Sequence, residues 1–193
     1  YEESTPVLER FLKAAGHDVT VTDDPSILAK RAELGGFDAL VFNTRREDLP
    51  DFGDLALSSQ ERDGMKEYVS SGKPFICLHI SGCLPQQWPE YHDITGGGWV
   101  SGQSFHPPYG KFTVNVSQPG HAGVKGVKDF ATNDELYMGL GMKEGNDVFI
   151  TGTSENGSYP WGPDRQPKEM PGGTFPLGWT RKYGDGKVFT LLL

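Results

Sequence analysis

The stretch PFICLHISG, residues 74–82, closes an apolar run with Cys77, His79 and Ser81, three side chains able to serve as nucleophile, base or metal ligand. His106 in SFHPPYG, His121 in QPGHAGV and the acidic pair Asp134 and Glu135 in NDELY extend the chemical repertoire. Imidazoles and carboxylates that converge on one pocket can move protons to and from a substrate, or can hold a divalent cation. His79, His106 and His121 would be the ligands of such a metal, and no other cofactor is called for. No spacing of the H-E-x-x-H kind announces a metal site, so acid-base chemistry at His79, His106, His121 and Glu135 is the preferred reading. The plain alternative for each histidine is a hydrogen-bonded structural side chain, and for His79 the two stand level. Trp88, Trp99, Trp161 and Trp179 could stack on the C–H faces of sugar rings, although core packing is the commoner fate of tryptophan. Trp88, Trp99, Gln103 and Asp134 are the candidate substrate contacts. TGGGWVSGQSFH tempts a phosphate-loop reading, but it lacks the G-K-[ST] ending, and its glycines are read as tight turns.

These residues need elements to position them. Thr5 can cap a first helix, Pro6 suits its first position, Val7, Leu8, Phe11 and Leu12 make an apolar stripe, and Gly16 stops it. DVTVT, residues 18–22, reads as a strand, and a weaker helix covers residues 26–34. FDALVF, residues 37–42, is the continuous apolar run of a buried parallel strand. Ser58 and Glu61 form a capping box for a helix carrying Met65, Tyr68 and Val69, which Gly72 terminates. PFICLH is the strand that follows. Alternating strands and helices imply a doubly wound α/β domain with a mostly parallel sheet covered by helices on both faces. Ligands of such sheets bind beyond the carboxyl ends of the strands, which singles out the loops at residues 43–46 and 79–82. Arg45 and Arg46 in the first loop read as a solvated loop end. Beyond residue 82 the pattern loosens into a helical turn near residues 86–91, a glycine-rich loop, and strands at KFTVNV, DVFITG, FPLGWTRKY and KVFTLLL. Lys111, Thr113 and Asn115 alternate with Phe112, Val114 and Val116, giving KFTVNV one wet and one buried face.

Composition sets the outer bounds. A chain of 193 residues with 36% hydrophobic content suits a single domain, and its net charge of -8 argues against a nucleic-acid partner. No apolar stretch is long enough to span a bilayer, so the chain reads as soluble, with the cytoplasm slightly favoured and the compartment open. Two cysteines, Cys77 and Cys83, are too few for a disulfide framework. The 26 glycines and 14 prolines concentrate in the second half, which predicts loops there. Both ends read as cropped, the first in a helix and the last within VFTLLL.

FDALVF, LSSQERDGMKEYVSSGKPFICLHISG, WPEYHDITGGGWVSGQSFHP, GHAGVKGVKDFATNDELY and PLGWTRKYGDGKVFTLLL together resemble the trehalose-utilisation, ThuA-like family over most of residues 37–193. That family lies in the class I glutamine-amidotransferase-like superfamily, so the resemblance implies a three-layer, flavodoxin-like fold over residues 1–193. It places His79 after the central strand, His106 and His121 in following loops, and Glu135 in the D-E-L-Y motif. Amidotransferase members carry a cysteine on a sharp elbow five residues after the proline that opens the strand. Counting from Pro74 puts His79 at that elbow, with Cys77 inside the strand as a core thiol. Ser81 lacks the G-x-S-x-G context of a hydrolase nucleophile. The resemblance therefore implies a carbohydrate-utilisation protein, acting on a sugar or oxidised sugar derivative as a hydrolase, lyase or isomerase, and not a glutamine amidotransferase. A non-catalytic sugar-binding or partner-docking module on the same fold is the alternative. The expected partner is a small-molecule sugar, with no nucleic acid, no membrane, and homo-oligomerisation open. Members of the family usually begin with a strand before the first helix and end with a Gly-His pair after the last strand, and neither occurs in this sequence.

Overall fold

A computed structural model of the chain describes residues 3–44, 56–82, 88–161 and 164–193. Four α-helices occur among them, α1 (Ser4–Ala14), α2 (Arg31–Gly35), α3 (Ser59–Ser70) and α4 (Pro89–Thr95). The strands are β1 (Leu40–Phe42), β2 (Phe75–Leu78), β3 (Gly110–Val116), β4 (Phe130–Asp134), β5 (Asp147–Ser154), β6 (Gly157–Trp161), β7 (Gln166–Met170), β8 (Gly173–Tyr183) and β9 (Gly186–Leu191). Seven strands form one sheet in the order β1-β2-β9-β8-β5-β3-β4, and β6 and β7 form a separate hairpin.

The expectation of a mostly parallel sheet is corrected: the sheet is mixed. β1 pairs with β2, and β2 with β9, in parallel. The ladders β9–β8, β8–β5, β5–β3 and β3–β4 are antiparallel. The reason lies in the connections of the second half. Only residues 184–185 separate β8 from β9, a two-residue turn that can join antiparallel neighbours but is far too short for a parallel crossover. The α-helices of the first half supply crossovers, and among the described residues no α-helix follows α4. The segment expected as a strand at residues 18–22 joins no ladder among the described residues, and Val21 is half exposed. Alternation alone does not make a strand, because the ladder needs a partner edge.

Helix α3 forms as its sequence dictates. Ser58 Oγ accepts the Glu61 N–H at 3.3 Å while Glu61 Oε2 accepts the Ser58 N–H at 2.6 Å, satisfying both orphan donors of the capping box. Its inner face buries Met65, Tyr68 and Val69, each worth roughly 1.5–3 kcal/mol. Thr5, in contrast, does not cap α1. The hydroxyls of Ser4 and Thr5 accept from Asn43 Nδ2 at 2.9 and 3.0 Å, tying the helix start to the end of β1. The apolar stripe of α1 buries none of its residues fully, and Phe11 stays exposed.

The sheet separates two cores, and β9 shows the alternation: Val188 belongs to one, Phe189 and Leu191 to the other. The first core lies under α2, α3 and α4, with Phe75 and Cys77 of β2 and Tyr91 of α4 at its centre. Among the described residues no α-helix contributes to the second core. Leu136, Tyr137 and Met138, the residues just after β4, pack there with Phe149, Leu177 and Trp179. That packing requires the sheet to curl. From β2 to β4 is five interstrand steps, roughly 24 Å across a flat sheet at about 4.8 Å each. Register shifts in β5 between Val148 and Thr151 bend the strand. Gly152 of β5 lets Leu136 lie on the concave face, since a Cβ there would fall 2.5 Å from Leu136 Cδ1. An isolated bridge between Phe105 and Met138 ties the same segment to the loop before β3.

Candidate active site

His79 directly follows β2 and starts a 3-10 turn, His79–Gly82, with φ near +50°. A non-glycine residue in this left-handed region is uncommon and carries a conformational cost, which marks a sharp change of chain direction at the strand's carboxyl end. A sharp turn thus stands at His79, the position at which the resemblance implied an elbow, and it has no flanking glycines. The 3-10 turn is held by Ser81, whose buried hydroxyl hydrogen bonds to the carbonyls of Leu78 and Phe42, and by the Tyr91 hydroxyl, which donates to Ser81 O at 2.6 Å.

The curl brings Asp134, the last residue of β4, to His79. Nε2 of His79 donates to Asp134 Oδ1 at 3.3 Å, and the same oxygen accepts the Glu135 N–H at 2.8 Å. The two side chains keep only 21% and 20% of their surface exposed, so water is largely excluded while a small ligand can still reach them. Burial pushes the Asp134 carboxyl up, but the hydrogen bonds from His79 and from the Glu135 N–H, with the nearby imidazole charge, together hold it below its usual range. Asp134 is thus ionised at neutral pH. Because that carboxylate accepts from Nε2, a neutral His79 ring carries its lone pair on Nδ1.

Tyr137, missed in the sequence reading, is the hub of the site. Its buried ring lies 5.4 Å from His79, 5.7 Å from His106 and 5.9 Å from Trp99, centroid to centroid, and its hydroxyl donates to Glu135 Oε2 at 3.2 Å. Trp99 and His106 also meet edge to face at 6.0 Å. Nδ1 of His106 donates to the Pro107 carbonyl at 2.7 Å, which leaves the lone pair of its neutral ring on Nε2. The structure thus gathers His79, His106, Trp99, Asp134 and Glu135 around Tyr137. The D-E-L-Y motif held the signal for that hub, because its tyrosine lies two residues beyond Glu135.

Other candidates lie elsewhere. His121 stacks on Phe149 at 4.4 Å, accepts the Gly123 N–H at Nδ1 and donates through Nε2 to Thr180 Oγ1 at 3.1 Å, which makes it the cap of a short turn. Trp88 is buried against Tyr91 in the first core, and Gln103, exposed, donates to the Gly139 carbonyl at 2.7 Å. Trp179 is fully buried, with Nε1 donating to Thr95 O at 2.7 Å. Cys77 is fully buried, its sulfur 3.8 Å from the Tyr91 hydroxyl. Cys83, Arg45, Arg46 and the Trp161 side chain lie outside the described residues. The glycine-rich loop packs more tightly than a turn requires: a Cβ on Gly98 would fall 2.1 Å from His92 Nε2. Among the described residues no three His, Cys, Asp or Glu side chains converge as they must around a metal ion, and His79, His106 and His121, the ligands named should a metal be present, do not come together as such a set. Nor is any helix among the described residues long and apolar enough to cross a membrane.

The profile of the ThuA family, described as trehalose utilisation, matches residues 1–193. A ThuA-like protein from Parabacteroides merdae superimposes with a TM-score of 0.71 at 19% identity, over 98% of this chain and 73% of its own. A second, from Bacteroides uniformis, gives 0.69 at 18% identity, over 100% of this chain and 74% of its own. A protein from Salmonella typhimurium described as cytoplasmic gives 0.58 at 17% identity, over 95% and 73%. At these identities the likeness establishes the fold alone. No curated protein matches the chain significantly. The profile spans every residue, and the chain belongs to the ThuA family.

Proposed function

We propose that this protein acts on a sugar or an oxidised sugar derivative by acid-base chemistry, with His79 as the base and Asp134 as the carboxylate that orients it. The family's description supports a carbohydrate-related role. The observation that carries the chemistry is the His79–Asp134 hydrogen bond at the kinked end of β2, beside the rings of Trp99, His106 and Tyr137. An ionised carboxylate bonded to Nε2 fixes the tautomer and the ring plane, so that Nδ1 takes a proton from a sugar hydroxyl or from a carbon next to a carbonyl. The imidazolium formed is then stabilised by the neighbouring carboxylate. A second group must return a proton to the departing oxygen: the His79 imidazolium can give back the proton it took, or His106, in its protonated form, can donate through Nε2 while Nδ1 stays bonded to the Pro107 carbonyl. Trp99 offers an aromatic face of the kind that receives the C–H side of a pyranose. His121 is assigned to holding its turn, and no step runs through a metal ion.

The test is turnover of trehalose and of trehalose oxidised at a ring carbon, followed by NMR with wild type, His79→Gln and Asp134→Asn proteins. General-base catalysis contributes typically 100- to 10,000-fold, so His79→Gln should lower kcat by at least 100-fold. A His79→Gln protein with wild-type turnover would exclude His79 as the base. Ligand binding without any turnover in wild type would favour the non-catalytic sugar-binding reading.

A further inference from the structure

Asp134 faces a second environment besides His79. It borders a recess of about 90 Å³ whose other walls include Pro107, Pro108, Lys111, Phe112 and Tyr159. The β3–β4 ladder sets one side, because Gly110 pairs with Asp134 and Lys111 with Asn133. Tyr159 arrives from a different part of the chain, the β6–β7 hairpin, which shares no ladder with the main sheet. A cation–π contact ties that hairpin to this end of the molecule: Lys168 holds its ammonium 4.9 Å from the centre of the Phe105 ring, one residue before His106. Gly157 gives Tyr159 room, since a Cβ on it would fall 2.5 Å from the tyrosine ring.

The chemistry of this recess is specific. Tyr159, Phe112 and the two prolines present flat or C–H-rich surfaces, which suit the apolar face of a sugar ring. The Tyr159 hydroxyl and the Lys111 ammonium can donate hydrogen bonds, and the Asp134 carboxylate can only accept them. Neighbouring hydroxyls of a saccharide, each both donor and acceptor, satisfy such a mixed set. An anionic group would meet the Asp134 charge. We infer that the recess is a subsite for a neutral saccharide ring, continuous with the His79–Asp134 pair, and that Tyr159 of the β6–β7 hairpin positions that ring. The ligand class rests on the carbohydrate reading above, while the location rests on the recess itself.

The experiment is an NMR titration of the full chain carrying ¹³C-labelled histidine and tyrosine rings, with trehalose as probe and gluconate and inorganic phosphate as anionic comparisons. Tyr159 and His79 resonances, assigned through Tyr159→Phe and His79→Gln, should shift together and saturably with trehalose and stay still with phosphate. Tyr159→Phe, which keeps the ring and removes one hydrogen bond, should weaken trehalose binding about 3- to 10-fold, and Tyr159→Ala further. An unchanged ¹⁵N spectrum outside the hairpin confirms that the variants fold. If His79 shifts while Tyr159 does not, and Tyr159→Ala binds like wild type, the subsite is refuted and the acid-base reading survives. If Tyr159 shifts and His79 does not, the sugar binds a recess separate from the His79–Asp134 pair, which overturns the continuous subsite and removes the support for His79 as the base. Silence at both rings across the sugars overturns both, and tighter binding of gluconate or phosphate than of trehalose overturns the neutral class.

Discussion

Replacing Asp134 by asparagine separates the charge of the His79 partner from its shape. Oδ1 receives both hydrogen bonds, from Glu135 N at 2.8 Å and from His79 Nε2 at 3.3 Å, and an asparagine carbonyl can accept both from the same position. What disappears is the charge. Hydrogen bonds to charged groups contribute about 1.5–3 kcal/mol and neutral ones about 0.5–1.5, so each loses roughly 1 kcal/mol, with less from the longer His79 bond. The expected loss at pH 7 is about 1–2 kcal/mol, or about 2–8 °C in Tm for a chain of this size. Its pH dependence follows from linkage. The folded carboxyl is held below its usual range, so between its folded and unfolded values the unfolded chain binds the extra proton, and stability rises with pH across that interval. The contribution is therefore complete above the ordinary carboxylate range near 4 and is lost as pH falls through the lower folded value. Urea denaturation of wild type and Asp134→Asn should show a gap that persists from pH 7 down to about 5 and closes below about 4. Equal stability at pH 7, or a gap already closed at pH 5.5, would refute an ionised Asp134 holding His79.

Gly98→Ala should lower stability by about 1–3 kcal/mol by thermal denaturation, because its Cβ would fall 2.1 Å from His92 Nε2; an unchanged Tm means the ring moves aside without cost. Gly152→Ala should cost a similar amount and, by pushing Leu136 off the concave face, should broaden or shift the His79 ring resonances although neither site residue is altered; undisturbed His79 signals would show that the curl does not depend on this contact. Cys77 should resist iodoacetamide in the native protein and react once urea unfolds it, as peptide mass spectrometry reads; rapid native labelling would contradict its full burial.

What the sequence made legible was local, and what it hid was assembled across the chain. Helix α3 could be read from Ser58, Glu61 and the Met65, Tyr68, Val69 spacing because cap and stripe act within a few residues. The place of His79 followed equally from a short rule, the carboxyl end of an apolar strand. The direction of β8 and β9 had no such rule, since KVFTLLL is apolar enough to be buried in either orientation and only the length of its connection decides. β4 was passed over because FATND offers little periodicity, with Phe130 itself exposed. That omission explains the reassignment of Asp134. Read as part of a loop, it was one of an acidic pair and a candidate substrate contact, with no partner to name. As the end of an edge strand folded back by the curl across Gly152, it becomes the partner of a histidine 55 residues away. Tyr137 stayed hidden for the same reason, as its three ring neighbours come from the end of β2 and the loop before β3. The catalytic reading thus depends on the curvature of the sheet as much as on the histidines, and sheet curvature is set by bulges and close approaches that hydrophobic patterning does not record.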